Sequence, residues 1–248
     1  MDSHSIKPRT FQEYTASPPA GGDWVIPGLI PGDGWTMIQA PPKTGKSILG
    51  AQISHSLTTG ESLMAWKPVR VFKTLYIQVD APPGDWYKQL IQLGLNGSPT
   101  LTLDRSDVGL FVLDDEERRS RLTASIAACG AEVVVWDALE KLTVRKLNER
   151  EECQTTLRDM HRVWSGPSVV IHHPRKLKEG ARWDNLDEAA GHPYLTADAS
   201  SLLTLKKENR IKGLLKVIGR LEESLWRLDR DPKTYAWISA SKDEGPTL

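Results

Sequence analysis

Residues 35–60 read WTMIQAPPKTGKSILGAQISHSLTTG, and this stretch decides the fold. It begins with a continuous apolar run over 35–40, which is typical of a strand buried on both faces of a sheet. It ends with a helix pattern that Gly60 terminates. Between the two, residues 40–47 fit the phosphate-binding loop pattern G-x-x-x-x-G-K-S, with Ala40 in place of the first glycine. A strand, this loop and a helix in that order predict a phosphate site at the start of the helix.

The loop supplies the groups that hold a nucleotide and a magnesium ion. Backbone N–H groups of the loop and of the helix N-terminus surround phosphate oxygens. Lys46 is expected to contact the outer phosphates, and the Ser47 hydroxyl is expected to bind Mg²⁺. The alternative is a Gly-Lys turn that starts an ordinary helix. The predicted nucleotide-binding residues are Ala40, Pro41, Pro42, Lys43, Thr44, Gly45, Lys46, Ser47 and Ile48.

Strands and helices alternate through most of the chain, which predicts an α/β fold. The apolar runs are Trp35–Ala40, Thr74–Val79, Gly109–Leu113, Glu132–Trp136 and Ser168–His172. Helix-period segments follow them, so we expect a mostly parallel sheet with helices on both faces. The C-terminal third has short strand candidates separated by polar turns, which predict antiparallel additions to the same sheet. These candidates are Ser201–Leu205, Leu214–Ile218, Leu225–Leu228 and Tyr235–Ile238.

Length and composition fit one globular domain. The chain has 248 residues, 39% of them hydrophobic, and its 32 Lys and Arg balance 32 Asp and Glu. This composition excludes a disordered chain, a collagen-like chain and a disulfide scaffold. We expect one domain over residues 21–240, with a tail or arm over 1–20 and a short tail over 241–248. Cys129 and Cys153 lie on apolar helix positions, which favours buried free thiols over a disulfide or a metal site.

Membrane insertion and secretion are not indicated by the sequence. No apolar stretch approaches the roughly 18 residues that a membrane helix needs. Residues 1–10, MDSHSIKPRT, lack the apolar core of a secretory signal, so a cytoplasmic location is expected. Zero net charge opposes a protein that coats nucleic acid over its whole surface, but it allows a local basic channel.

Two acidic residues end predicted strands at the edge of the sheet where ligands bind. Asp137 follows the apolar run Val133–Trp136, the form of the second motif of a P-loop ATPase, whose carboxylate holds Mg²⁺ or its water shell. Asp80 follows Leu75–Val79 and is a candidate to position or deprotonate the attacking water. The alternatives are a structural cap for Asp137 and a strand-end turn before Pro82 for Asp80.

Two histidines, His172 and His173, end the predicted strand Val169–Ile171 at the same edge. A neutral imidazole there is able to sense the γ-phosphate as a hydrogen-bond donor. A metal site formed by the pair is disfavoured, because no third ligand stands at a suitable spacing.

These motifs resemble those of the RecA/DnaB-like ATPases, and within them the compact RepA-type hexameric helicases of plasmids and phages. The resemblance covers approximately residues 23–238. It rests on APPKTGKS (40–47), TLYIQVDAPP (74–83), EVVVWDAL (132–139), VVIHHPRK (169–176) and KVIGR (216–220). It implies a RecA-like core, ATP hydrolysis at the subunit interfaces of a hexameric ring, and DNA threaded near the ring axis.

The resemblance also implies roles for single residues. Asp80 stands where the family carries its catalytic acid, usually a glutamate, which is one methylene longer. His173 rather than His172 fits the position of the sensor histidine. Arg220 matches the arginine that reaches the γ-phosphate bound by a neighbouring subunit, with Arg210 as a substitute. The alternative for Arg220 is a surface arginine paired with a nearby acid.

In RecA-like folds two loops after the fourth and fifth strands commonly face DNA, and both corresponding segments here are basic. Clustered cations neutralise phosphates, and a neighbouring aromatic ring such as that of Trp183 stacks a base. The alternative is two solvated loops, since acidic residues are interspersed. The candidate DNA-binding residues are Lys141, Arg145, Lys146, Arg175, Lys176, Lys178 and Arg182.

The sequence therefore predicts a Mg²⁺-dependent ATPase that assembles as a ring and acts on single-stranded DNA in replication. The alternative is a RecA-like regulatory or signalling ATPase that binds protein partners and no DNA. A small-molecule kinase with a P-loop is disfavoured, because the sequence has no Arg-rich lid segment between the later strands.

Overall fold

The computed structural model of the protein describes residues 10–16, 24–173, 193–219 and 222–243. The strands are β1 (Trp24–Ile26), β2 (Ile30–Pro31), β3 (Trp35–Gln39), β4 (Thr74–Gln78), β5 (Leu101–Asp104), β6 (Val133–Asp137), β7 (Ser168–His172), β8 (Ser201–Lys207), β9 (Lys212–Gly219), β10 (Glu223–Arg230) and β11 (Trp237–Lys242). The helices are α1 (Phe11–Ala16), α2 (Lys46–Thr59), α3 (Pro83–Gln92), α4 (Arg105–Val108), α5 (Glu116–Cys129), α6 (Leu139–Leu142), α7 (Arg150–Val163) and α8 (Pro193–Asp198), with a 3-10 helix at Val112–Asp114.

Within the described ranges, β3 to β11 form one sheet in the order β11-β10-β9-β8-β3-β7-β6-β4-β5. The pairs from β8 to β5 in this order are parallel. From β8 outward, β9, β10 and β11 continue the sheet as antiparallel strands. This confirms the predicted α/β class, a mostly parallel sheet with antiparallel C-terminal strands. The strand β7 lies between β3, which leads into the phosphate loop, and β6, which ends in Asp137.

Continuous apolar runs form the central strands because both faces of the sheet are covered. Every residue of β3, β4, β6 and β7 is buried. Successive side chains alternate between two cores. Ile38 belongs to the core that α2 covers, whereas Met37 belongs to the opposite core, which α5 and α7 cover. The helix predicted after the phosphate loop is α2, which ends before Gly60 and buries Leu49, Ile53 and Leu57.

The predicted strand at Gly109–Leu113 is wrong. This stretch forms a turn and the 3-10 helix, and Val112 and Leu113 are buried in the core that α5 covers. The sheet instead ends in β5, Leu101–Asp104, which the sequence analysis missed. This edge strand is half-exposed and has no continuous apolar run, so the pattern of a strand buried on both faces does not identify it. The last strand begins later than predicted, because Tyr235 adopts a left-handed conformation (φ 63°) before it.

Both cysteines are free thiols, as the sequence predicts. Cys153 is buried in α7, and Cys129 is half-buried at the end of α5. Among the helices of the described ranges, none has the length and apolar character needed to cross a membrane.

Candidate nucleotide-binding site

The predicted site residues meet at one edge of the sheet. The phosphate loop leaves the end of β3, Asp80 follows β4, Asp137 ends β6, and His173 follows β7. These strands are parallel members of one sheet, so their carboxyl ends lie together. Backbone hydrogen bonds join two of them, because the N–H groups of Val79 and Asp80 both donate to the Asp137 carbonyl, at 2.6 and 3.2 Å.

The loop rests against the C-terminal strands at Gly45. Gly45 has φ 106°, a backbone conformation that favours glycine, and a Cβ atom there would lie 2.8 Å from Nη2 of Arg230, whose flexible side chain would have to shift. The Trp237 indole N–H donates to the Gly45 carbonyl at 3.4 Å, and the Arg230 guanidinium lies 4.4 Å over the Trp237 ring. The side-chain amide of Gln52 in α2 exchanges two hydrogen bonds with the Trp237 backbone, at 2.8 and 2.9 Å. The strands β10 and β11 therefore support the loop and α2.

Some of the remaining loop residues are exposed on its outer surface, and others are buried or half-buried beneath it. Pro41, Pro42 and Lys43 are exposed, and Lys43 has φ 60°. Thr44 is buried, and its hydroxyl donates to the Pro41 carbonyl at 2.7 Å. Ile48 is half-buried in the first turn of α2 and lines a cavity of about 380 Å³ together with Lys43, Arg230 and Tyr235.

Lys46 is folded back onto the loop that it follows. Its side chain is buried, and Nζ donates to the carbonyls of Ala40 and Pro41, at 2.6 and 3.1 Å. Burial lowers the pKa of this amine to about 8, although the acids Glu140, Asp137 and Asp80 act in the opposite direction. The amine is thus held by two backbone carbonyls within the electrostatic field of three carboxylates.

Asp137 is fully buried at the end of β6. The Tyr76 hydroxyl donates to its Oδ2 at 2.7 Å, and the Tyr76 ring stacks on Trp86 with centroids 4.8 Å apart. Burial raises the pKa of Asp137 to about 6, against the hydrogen bond from Tyr76 and the nearby Ser47 hydroxyl. Tyr76 was not among the predicted site residues, although a tyrosine hydroxyl in a buried strand usually has a hydrogen-bond partner.

Ser47 and Asp137 fit the magnesium site that the loop motif implies. The second carboxylate oxygen of Asp137, Oδ1, is buried without a hydrogen-bond partner among the described residues. An unsatisfied buried carboxylate oxygen beside a hydroxyl is a donor set suited to Mg²⁺, which prefers oxygen ligands and keeps several waters.

Asp80 and His173 form a pair at the centre of the edge. Nε2 of His173 lies 3.4 Å from Oδ2 of Asp80, and both side chains are about one-third exposed. The contact with His173 lowers the pKa of Asp80 below its ordinary value, outweighing burial, and the positive charges of Lys141 and Lys46 add to this effect. Asp80 is therefore ionised at neutral pH and able to accept a proton.

His172 and His173 have different environments, which supports the choice of His173 as the residue nearest the reacting groups. His172 is buried, and its Nδ1 contacts the carboxylate of Glu140. The same Glu140 oxygen, Oε1, accepts a hydrogen bond from the backbone N–H of His173 at 2.5 Å. Burial favours the neutral form of Glu140, but the contact with His172 outweighs it and lowers the pKa. No sequence signal distinguishes Glu140 from the other acids of its segment.

The candidate DNA-binding residues differ in their exposure to solvent and in their ion pairs with acidic residues. Arg145 is mostly buried and forms ion pairs with Asp159 at 2.8 Å and Asp114 at 3.3 Å, so much of its charge is compensated, although Asp159 also pairs with Arg119 and Arg162. Lys146 is exposed and pairs with Glu149 at 3.2 Å. Lys141 lines a cavity of about 520 Å³ next to His173. The predicted residues that lie outside the described ranges are Arg175, Lys176, Lys178, Arg182 and Arg220.

Comparisons with known proteins agree with this fold and loop. A family model described as AAA domain matches residues 3–179. The chain is similar to the KaiC-like protein of the hyperthermophilic archaeon Pyrococcus horikoshii OT3, with a TM-score of 0.55 and 15% identity over 90% of this chain and 95% of that chain. It is also similar to the flagellar accessory protein FlaH of Methanocaldococcus jannaschii, with a TM-score of 0.52 and 13% identity over 87% and 92% of the two chains. No curated protein sequence matches the chain.

Proposed function

The chain belongs to the AAA domain family and has a RecA-like P-loop ATPase core, and from this premise we propose a specific function for it. It is a Mg²⁺-dependent ATPase of RepA helicase type that acts on single-stranded DNA as a cytoplasmic hexameric ring in replication. The observation that carries the ATPase part is the Asp80–His173 pair, placed beside the phosphate loop and Asp137 at one sheet edge.

In the proposed hydrolysis, one phosphorus–oxygen bond forms and one breaks. The oxygen of a water molecule attacks the γ-phosphorus, the bond to the bridging oxygen of ADP breaks, and Asp80 accepts the proton that the water loses. His173 contacts the Asp80 carboxylate through Nε2 and orients it, and it lies next to the position proposed for the γ-phosphate. The carboxylate of Asp80 is ionised at neutral pH, the form that this step requires.

The loop residues bind and neutralise the phosphates. Lys46 exchanges the carbonyls of Ala40 and Pro41 for phosphate oxygens. Ser47 and Asp137 would hold the magnesium ion, which neutralises charge on the β- and γ-phosphate oxygens when bound.

Replacing Lys46 with alanine tests this assignment. We expect kcat/KM for ATP to fall by about 10²–10³-fold, because a cation that stabilises phosphate charge is removed. ATP affinity and steady-state phosphate release are the measurements. The matched control is Lys67→Ala, an exposed lysine on another segment. If ATP affinity and hydrolysis both survive the loss of Lys46, the P-loop assignment is wrong.

The DNA part of the proposal rests on the basic segments that flank the site. Lys141 lines the cavity next to His173 on the segment that follows β6, Lys146 is exposed although it pairs with Glu149, and Arg145 is mostly buried in its ion pairs. The cations Arg175, Lys176 and Lys178 follow β7 in the sequence and add a second basic segment. The strands that precede these segments in the sequence, β6 and β7, end at the edge of the sheet where ATP is proposed to bind.

Reversing the charges of Arg175, Lys176 and Lys178 to glutamate should weaken binding of single-stranded DNA while basal ATPase persists. Each lost phosphate contact should flatten the slope of log affinity against log salt by roughly 0.7. Fluorescence anisotropy of a labelled oligonucleotide at several salt concentrations measures this slope. The control reverses three exposed cations on other elements, Lys67, Lys212 and Lys242. An unchanged slope in the test variant would contradict DNA binding by this segment.

The second candidate function is a regulatory ATPase that binds protein partners and no DNA. The ion-paired Arg145 and the zero net charge favour it, because both reduce the positive potential available to DNA. Stimulation of the ATPase by single-stranded DNA separates the two candidates. A rate that DNA leaves unchanged would favour the protein-binding function.

A further inference from the structure

Glu140 connects two elements of the site and has no role in the proposed hydrolysis so far. It lies in the first turn of α6, which follows β6, the strand that ends in Asp137. Its Oε1 contacts the end of β7 twice, through Nδ1 of His172 and the backbone N–H of His173. Glu140 therefore ties the segment after Asp137 to the residue that faces Asp80.

The contact with the His173 backbone bears directly on the Asp80 carboxylate. A hydrogen bond of 2.5 Å from the His173 N–H to Glu140 fixes the position of the His173 backbone, from which the imidazole side chain extends. From this position Nε2 of His173 reaches Asp80 at 3.4 Å, which is already near the limit for an effective contact. A small displacement of the end of β7 is enough to separate the pair.

Partial burial of the Glu140 carboxylate has a desolvation cost that reduces the stability of the fold. Its other oxygen, Oε2, is buried without a hydrogen-bond partner in the part of the chain that the structure describes. A partly buried carboxylate with one oxygen buried and unsatisfied is a poor choice for stability alone, because an apolar residue avoids the desolvation cost. The carboxylate also lies near the Lys46 amine, so it belongs to the electrostatic environment of the phosphate loop.

We propose that Glu140 is a positioning residue for ATP hydrolysis, which holds the His172–His173 end of β7 so that His173 orients the Asp80 carboxylate. This role rests on the proposed ATPase function. It assigns to Glu140 an effect on turnover that passes through His173, without contact to ATP.

Two variants of Glu140 test the role by kinetics of the full chain. Glu140→Ala should lower kcat roughly 10–100-fold, the usual cost of losing a residue that orients a reacting group, and leave KM for ATP within about twofold. Glu140→Gln should retain more activity, because the side-chain carbonyl still accepts from the His173 N–H. The control, Glu151→Ala, removes an exposed acid of α7 and should leave kcat unchanged. Wild-type kcat in Glu140→Ala would overturn the proposal.

A double-mutant cycle distinguishes positioning from a structural role. In a His173→Ala background, Glu140→Ala should cause little further loss of kcat, since its effect passes through the missing imidazole. An equal loss in both backgrounds would overturn the proposal and make Glu140 a structural residue.

A spectroscopic measurement separates this inference from the ATPase proposal itself. In the nucleotide-free chain, nuclear magnetic resonance of the imidazole groups, assigned with His173→Ala, reports the ring of His173 at one fixed pH. Glu140→Ala, which removes the acceptor of the His173 N–H, should shift these ring resonances, and Glu140→Gln, which keeps an acceptor there, should shift them less. Unchanged resonances would overturn the inference whether or not the chain hydrolyses ATP. A clear shift in a chain without ATPase activity would support the positioning contact and contradict the ATPase proposal alone.

Discussion

The Asp80→Asn variant is expected to hydrolyse ATP about 10²–10⁴ times more slowly than the unaltered chain, the contribution of a general base. An amide has nearly the same shape as the carboxylate but does not accept the proton of the attacking water. ATP affinity should stay unchanged, because Asp80 does not belong to the phosphate loop. Steady-state hydrolysis and equilibrium nucleotide binding, measured on the same preparation, test both parts.

Two further variants make the Asp80 experiment specific. Asp33→Asn removes an exposed carboxylate before β3 and should leave turnover unchanged. Asp80→Glu restores the longer acid usual in the resembled family, and faster turnover would mean that this chain is adapted to slow hydrolysis. If Asp80→Asn hydrolyses ATP at the original rate, Asp80 is a strand-end residue and another group serves as the base.

Arg220→Ala is expected to lower ATPase activity on the order of 10³-fold while ATP binding persists, if the active site is shared between subunits. A guanidinium from a neighbouring subunit stabilises the charge that develops in the transition state. The alternative, a surface ion pair with Glu222 or Glu223, contributes under about 1 kcal/mol and does not affect turnover. Glu223 is already paired with Lys216 at 2.8 Å, which makes this alternative less favourable.

Mixing two inactive variants provides the decisive measurement for the ring. Arg220→Ala retains an intact loop, and Lys46→Ala retains an intact arginine, so a mixed interface should recover part of the activity. Arg210→Ala is the comparison variant, because Arg210 donates to the Tyr235 hydroxyl at 2.6 Å and is the substitute candidate. Full activity of Arg220→Ala, or a monomer in the presence of ATP and single-stranded DNA, would contradict the ring mechanism.

The sequence alone determined the centre of the fold and the edge that carries the site. Strands buried on both faces need continuous apolar runs, so β3, β4, β6 and β7 were predictable from local composition. The phosphate loop was predictable because backbone geometry requires a fixed spacing of glycine and lysine. Since parallel strands end at one edge, Asp80, Asp137 and His173 were expected to lie together there.

The tertiary structure decided which residues support these groups and which charges remain available. The edge strand β5 was missed because a half-exposed strand lacks the apolar run of a central one. Tyr76 meets Asp137, and Glu140 meets His173, only because β7 and β4 lie on either side of β6. Trp237 supports Gly45 because β8 brings the antiparallel strands back beside the loop. Such contacts join segments far apart in the chain, and no local pattern records them.

Arg145 shows that the sequence also does not reveal which charged side chains are paired in the fold. In the sequence it is one cation of a basic segment, equivalent to its neighbours. In the structure it lies between Asp114 and Asp159, which come from two other elements. The number of positive charges is a property of the sequence, but their neutralisation depends on which acids the fold places within a few ångströms.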